Sequence, residues 1–378
     1  MHPKDCLILI PSLAPDEKLQ LYVDDLLAAD FGHVLVINDG SSEKYLPIFN
    51  ELAQRERVTV LHHAVNRGKG AALRTGYAHV LEHTDFQGVI TADADGQHIV
   101  SDTLKIADLL DPNNNEMVLG SRDFSGKEKK VPLRSCFGNR ATSCVFALFY
   151  GKWLPDTQTG LRAINRNLLP DCLTITGDRY EYEMNQLMQF VNKKIPMTIF
   201  PIDTVYLDDN ESSHFHPIRD SFRIYKLLFT GFFKFMSSGL VATLVDLLLF
   251  TLLNSWVLEH LMPDSTFFFL GMAHSTRFWV ATSTARICSA SLNFLLNKNY
   301  VFRAKETKGV LWRYILLGVL CIILSSTFVG QLNTFMHLPD HSILNTVNKG
   351  IVDSLLFLFN FRIQKAWVFA DKKNRKEK

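Results

Sequence analysis

The stretch Val89-Ile90-Thr91-Ala92-Asp93-Ala94-Asp95-Gly96-Gln97-His98 carries the residue types of a hard-cation site. Residues i and i+2 of an extended strand end point to the same side. Asp93 and Asp95 therefore face one way, and Gln97 adds a third oxygen donor. Mg2+ or Mn2+ on a nucleotide diphosphate suits such an oxygen-rich, partly open site. An Asp-x-Asp by itself equally describes a solvated acidic turn, so the surrounding residues must decide.

Further polar residues flank apolar runs in the same way. Asp39 follows Val34-Leu35-Val36-Ile37 within Asn38-Asp39-Gly40-Ser41-Ser42, where it is placed to accept a hydrogen bond from a nucleobase or ribose. The same segment also reads as a turn and helix cap. Asn66-Arg67-Gly68-Lys69-Gly70 precedes a helical pattern. Backbone N–H groups in such a turn approach phosphate, and a helix N-terminus favours anions. Lys69 adds a positive charge, although the GxxxxGK[ST] spacing of a Walker A loop is absent. Arg122 stands at the root of a basic segment with Lys127, Lys129, Lys130 and Arg134, suited to a second anion. Asp156-Thr157-Gln158-Thr159-Gly160-Leu161-Arg162 gathers Asp, Gln and Arg around a glycine in the manner of a site loop. Glu183, at the start of an amphipathic helix, is the carboxylate expected near an acceptor.

The elements that must position these residues follow from periodicity. Buried strands are expected at Cys6 to Pro11, Val34 to Ile37, Val58 to Leu61, Val89 onward and Met117 to Arg122. Leu19, Tyr22, Val23, Leu26 and Leu27 recur at helical spacing between the first two. Strand, helix, strand predicts a parallel α/β sheet, with ligands outside the carboxyl ends of the strands. A net charge of +2 gives no sign of a nucleic-acid binder. Six scattered cysteines with no CxxC pair fit reduced thiols. The first apolar run is too short for a signal peptide, so the N-terminal domain is expected in the cytoplasm.

The order IPSLAPDE, VINDGSS, NRGKGAALRTG, DADGQH, GSR, DTQTGLRA, YEYEM resembles the glycosyltransferase family 2 enzymes. The nearest branch is that of dolichol-phosphate mannosyltransferase and the polyprenyl-phosphate glycosyltransferases. The resemblance implies a Rossmann-like GT-A fold. It also implies inverting, metal-dependent transfer from a UDP- or GDP-sugar to a polyprenyl phosphate, undecaprenyl or dolichyl, for cell-envelope glycan or glycoprotein assembly. Pro11, Asp39, Lys69 and Asp93 are then expected at the donor, and Asp93, Asp95 and Gln97 at Mg2+ or Mn2+. Arg122, Arg134 and Arg162 are expected at the acceptor phosphate, and Asp95, Arg122, Gln158 and Glu183 in catalysis. The first motif departs from the usual Pro-x-Tyr-Asn-Glu, and Asn38 stands where an aspartate is common.

Beyond about Lys226 apolar stretches dominate. Residues 216–226 look amphipathic and basic, as for a membrane-surface segment. Four spans are expected near Leu227 to Leu253, Thr276 to Leu296, Tyr314 to Phe335 and Ile343 to Ile363. Lys298, Arg303, Lys305, Lys308 and Arg313 make one loop basic, and the tail carries Lys372, Lys373, Arg375, Lys376 and Lys378. The positive-inside rule puts both termini in the cytoplasm. The domains expected are thus 1–215, a linker at 216–226, a membrane domain at 227–370 and a basic tail at 371–378. Phe233-Lys234-Phe235 matches Trp312-Arg313-Tyr314, and Asn293-Phe294 with Tyr300-Val301-Phe302 matches Asn360-Phe361 with Trp367-Val368-Phe369. These are two parallel two-span repeats in an all-α domain. The half resembles the GtrA-like family, implicated in moving or accommodating polyprenyl-linked sugars. Arg286 and Asp353 occupy equivalent positions and are expected to pair across the bundle. A homo-oligomer is compatible with so small a unit. The alternative function is a lipid-linked sugar transporter with a regulatory or inactive N-terminal domain.

Overall fold

The computed structural model describes residues 1–123, 133–203, 217–261, 265–269, 272–304, 309–337 and 343–370. The chain divides into two compact units, Met1–Leu228 and Phe229–Lys378.

In the first unit the strands are β1 (Cys6–Ser12), β2 (His33–Asn38), β3 (Val58–His62), β4 (Gly88–Thr91), β5 (Met117–Arg122), β6 (Arg162–Asn165) and β7 (Met197–Ile202). They form one sheet in the order β3-β2-β1-β4-β6-β5-β7. Cys6 to Ile10 are wholly buried, as expected of a central strand covered on both faces. The helices are α1 (Glu17–Ala28), α2 (Leu46–Leu52), α3 (Lys69–His83), α4 (Val100–Leu109), α5 (Leu133–Tyr150), α6 (Leu169–Leu173) and α7 (Glu181–Asn192). Asp16 caps α1 by accepting from the Lys18 N–H at 2.9 Å, and Leu19, Tyr22, Val23 and Leu26 form the stripe it buries.

The sheet is mixed, which corrects the expectation of a parallel one. β6 runs antiparallel to both β4 and β5. It is four residues long, too short to show a period. β7 contains Pro201 and lies at the sheet edge, where a missing ladder donor is tolerated. Strand order reverses direction between β1 and β4, the place where α/β sheets open a ligand crevice. β1 pairs with β4 only through Leu9 but follows β2 through Ser12, so the two strands part at their carboxyl ends.

In the second unit the expected spans correspond to α8 (Pro217–Leu252), whose first residues belong to unit one, α10 (Thr276–Leu296), α11 (Val310–Phe335) and α12 (Ile343–Ile363). The expected surface linker is not a separate element. From Pro217 it is part of α8, and His216 lies outside the described residues. Residues 221–261 and 310–335 are long and apolar enough to cross a membrane. The unit is not purely helical. Besides the short α9 (Leu258–Leu261), an antiparallel hairpin joins β8 (Thr266–Phe269) to β9 (Met272–Ser275).

The duplication is visible in geometry. α10 and α12 each end in a π-helical turn, Asn297–Val301 and Gln364–Val368. These ends meet, with the Asn297 amide donating to Gln364 Oε1 at 3.3 Å and the Phe302 and Phe361 rings 5.7 Å apart. Ser238 Oγ donates to Asn297 Oδ1 at 2.5 Å, and Gln364 donates to Asn360 Oδ1 at 3.1 Å. Asn297, Gln364 and Ser238 are all buried, so the amides satisfy one another where water is excluded. Arg286 and Asp353 do not pair. Arg286 lies 3.3 Å from Asp246, and Asp353 lies 2.8 Å from Lys349 on its own helix. Replacing Asn297 by Leu is expected to lower stability by about 1 kcal/mol, typical of an interhelical polar contact in a membrane domain. Thermal unfolding in detergent, followed by helical circular dichroism, measures the shift.

Candidate active site

The site is assembled where α3, β4 and α7 converge. Gly70 permits the approach of α3 to α7, because a Cβ there would lie 2.5 Å from the Tyr182 side chain. Lys69, the first residue of α3, thereby reaches across. Its Nζ is 2.7 Å from Asp93 Oδ1 and 3.0 Å from Glu183 Oε2. Burial pulls the ammonium pKa down, but the two carboxylates outweigh it and hold it above the ordinary lysine value. Burial likewise pushes Asp93 up, yet Lys69 and His98 outweigh it and hold its carboxyl far below the usual range. His98 Nε2 is 3.4 Å from Asp93 Oδ2. Gly160 closes over the same carboxylate, since a Cβ there would sit 2.5 Å from Asp93 Oδ2. Thr91 Oγ1 pins that glycine by donating to its carbonyl at 2.7 Å.

Asp95 is partly exposed beside this cluster, and its Oδ1 accepts from the Gln97 N–H at 3.0 Å. Burial and then the Asp93 charge raise its pKa. Two carboxylates that repel each other at a crevice mouth fit one hard divalent cation, which keeps other positions for diphosphate oxygens and water. Among the described residues no group of three or more His, Cys, Asp or Glu is arranged as a metal cage. The residues that could hold such a cation are Asp93 and Asp95, with Gln97 as an amide oxygen.

Arg122, at the end of β5, is held in a fork by Asp156. Nε donates to Oδ2 at 2.7 Å and Nη2 to Oδ1 at 3.1 Å. Asp156 is fully buried and also accepts from the Gln158 N–H at 2.9 Å. Asn139 of α5 steadies the loop, donating to the Pro155 carbonyl at 2.6 Å. Gln158 itself is exposed, and Pro11 lies inside β1 opposite Ile37. Arg134 falls in the first turn of α5, where side chains lie outside the described residues.

Two expected site residues are turned inward. Asp39 is 4% exposed, and its carboxylate accepts from the Arg67 N–H at 2.9 Å and the Gly68 N–H at 2.7 Å and bonds His63 Nδ1 at 2.7 Å. The nearest donors to a carboxylate just past a strand end are those of the next loop, so Asp39 shapes the turn that presents Lys69. Arg162 is 1% exposed and donates to the Thr159 and Glu183 carbonyls and to Gln186 Oε1, at 3.0, 2.8 and 2.9 Å. It ties the 156–160 loop to α7. Sequence reasoning passed over three contributors: His98 inside DADGQH, Asp156 as the Arg122 holder, and His63, which bridges Asp39 to Thr75 at 2.9 Å. The first two lie in motifs already singled out; nothing in the sequence marks the third.

Comparisons with known proteins identify the families the two parts of the chain match. Glycosyl transferase family 2 matches residues 8–172, and the GtrA/DPMS transmembrane domain matches residues 234–369. The chain carries a family 2 glycosyltransferase domain followed by a GtrA/DPMS transmembrane domain. The glycosyltransferase domain thus contains every site residue named above up to Arg162, with Glu183 just beyond the matched range. Among its relatives is an uncharacterized protein of Methanocaldococcus jannaschii, 27% identical over 62% of this chain and 95% of that protein. The UDP-N-acetylglucosamine–dolichyl-phosphate N-acetylglucosaminyltransferase of Methanococcus voltae is 27% identical over 55% of this chain and 88% of its own. The polyprenol monophosphomannose synthase of Mycolicibacterium smegmatis is 26% identical over 52% and 76% respectively.

Two substitutions test the cluster. Lys69→Met leaves Asp93 and Glu183 without their shared cation and is expected to cost about 3 kcal/mol, read as a lower thermal midpoint. Gly160→Ala forces a methyl group against the Asp93 carboxylate and is expected to cost about 1–3 kcal/mol by overpacking. The same measurement checks it.

Proposed function

We propose that this protein transfers a sugar from a UDP- or GDP-sugar to a polyprenyl phosphate, with inversion, at the cytoplasmic membrane leaflet. The observation that carries the reading is the gathering of Lys69, Asp93, Asp95 and Glu183 at the switch point of a glycosyltransferase domain. The transmembrane domain on the same chain supports a lipid acceptor. Two relatives whose names specify dolichyl phosphate and polyprenol substrates support the same class. The basic loop and tail flanking the spans support the cytoplasmic assignment.

The chemistry needs no strong general base. A phosphate monoester has its second pKa near about 6, so at neutral pH it is largely dianionic and nucleophilic. Alignment and charge stabilisation are what the chain must supply. Arg122, fixed in orientation by Asp156, is suited to orient an anionic oxygen, because guanidinium geometry matches phosphate. Lys69 pairs with both Asp93 and Glu183 and so keeps the two carboxylates together beside the crevice. Asp93 and Asp95 would hold a divalent cation, and that cation would supply charge neutralisation on the nucleoside diphosphate leaving group. A single displacement by the acceptor phosphate inverts the anomeric centre, so an α-linked donor gives a β-linked product.

The test uses membranes containing the protein, Mg2+ or Mn2+, polyprenyl phosphate and a panel of labelled UDP- and GDP-sugars. Label from one donor is expected in the lipid extract. Asp95→Ala is expected to slow its appearance by about 100-fold or more, the cost of removing a group that stabilises developing charge. A folded protein that labels no lipid with any donor overturns the reading in favour of a transport role.

A further inference from the structure

An ammonium sits directly on one of the two carboxylates suited to the divalent cation. Lys69 Nζ is 2.7 Å from Asp93 Oδ1, and His98 Nε2 is 3.4 Å from Asp93 Oδ2. The backbone at Gly160 closes over the same carboxylate from another side. Both oxygens of Asp93 therefore already face a nitrogen of this chain. The Lys69 side chain is only 16% exposed, so solvent and salt screen little of its charge. With Glu183 3.0 Å away on its other side and Asp95 beside Asp93, Lys69 cancels one of the three negative charges gathered there.

The fold fixes where this ammonium originates. The Arg67 and Gly68 N–H groups donate to Asp39 at 2.9 and 2.7 Å, and the Ala71 N–H donates to the Asp178 carbonyl at 3.1 Å. Gly68 has a φ of +99°, and a Cβ there would lie 2.3 Å from that carbonyl oxygen. The backbone on both sides of Lys69 is thus pinned by hydrogen bonds and close packing. Its side chain reaches Asp93 from a fixed root, and only the stem is left to turn.

We propose that Lys69 makes divalent-cation binding depend on the nucleotide diphosphate. A divalent cation drawn to Asp93 meets an ammonium on the same carboxylate, and like charges at that distance repel. A nucleoside diphosphate brings negative charge of its own and hard oxygens for the cation. It therefore restores the attraction that Lys69 cancels. Cation and diphosphate then raise each other's affinity, by the same factor in either direction. The site takes up the metal–nucleotide complex and leaves a bare cation in solution. The proposal rests on the reading of Asp93 and Asp95 as the cation site of an enzyme that uses a nucleotide sugar.

The full-length protein in detergent is titrated with Mn2+, and free Mn2+ is read from its paramagnetic resonance signal. Titrations are run without nucleotide and with saturating UDP or GDP. The wild type is expected to bind Mn2+ about 100-fold more tightly with one of the two nucleotides, and Lys69→Gln only about tenfold more tightly. The difference is expected to arise without nucleotide, where Lys69→Gln binds Mn2+ about tenfold more tightly than the wild type. Damage to the site weakens binding, so a gain separates lost repulsion from lost structure. Lys69→Arg keeps the charge and is expected to keep the wild-type dependence. Asp95→Ala is expected to abolish the binding, which assigns it to this site, and a thermal midpoint shows that each variant is folded. Folded Lys69→Gln that binds Mn2+ alone no better than the wild type overturns the proposal and leaves the transferase reading standing. So does wild-type protein that binds Mn2+ equally well with and without nucleotide, a result that needs no variant. Failure of the wild type to bind Mn2+ even with UDP or GDP overturns both the proposal and the metal-dependent reading.

Discussion

A single ammonium holds the catalytic half together. Lys69 comes from the first turn of α3, Asp93 from the end of β4 and Glu183 from the first turn of α7. No two of these are close in the chain. Two carboxylates brought together with little water repel each other, and one shared cation turns that cost into an attraction. The convergence needs α3 to lie almost backbone to side chain on α7, which Gly70 allows, and the 156–160 loop to press on Asp93, which Gly160 allows. The site's electrostatics and its packing are thus one problem with one solution.

The remaining charged groups of the domain act largely as internal struts. Asp39 gathers two backbone N–H groups and His63 to set the turn before Lys69. Arg162 gathers two carbonyls and an amide oxygen to set the loop over Asp93. Asp156 orients Arg122. A buried charge hydrogen-bonded to loop backbone satisfies groups that no sheet or helix can satisfy, and it fixes loops that carry chemistry to within hydrogen-bond tolerance.

The membrane half solves a related problem in a different solvent. Its helices meet through buried amides and serine–carboxylate contacts at repeated positions, as polar groups away from water must find one another. Near the same end the rings of Phe235, Phe302, Phe361 and Phe369 pack on one another.

The sequence by itself determined the first five strands and the motifs at their ends, the helices of the second unit and the repeat within them. Those features rest on local signals: apolar runs, periodicity, glycine turns and the length of a span. Asp93, Asp95, Lys69 and Glu183 were legible as candidates because each sits at the end of such a signal. What only the tertiary structure decided is which candidates meet and which way they face. Asp39 and Arg162 look like surface ligands in a string of residues, yet each lies beside unpaired backbone groups that become its neighbours only on folding. The antiparallel β6 is four residues long and has no period of its own, so its place is set by strands on either side of it. The partners of Arg286 and Asp353 follow the same rule. Sequence spacing gives the depth of a charge on its helix, but the choice of counter-charge depends on which helix packs alongside.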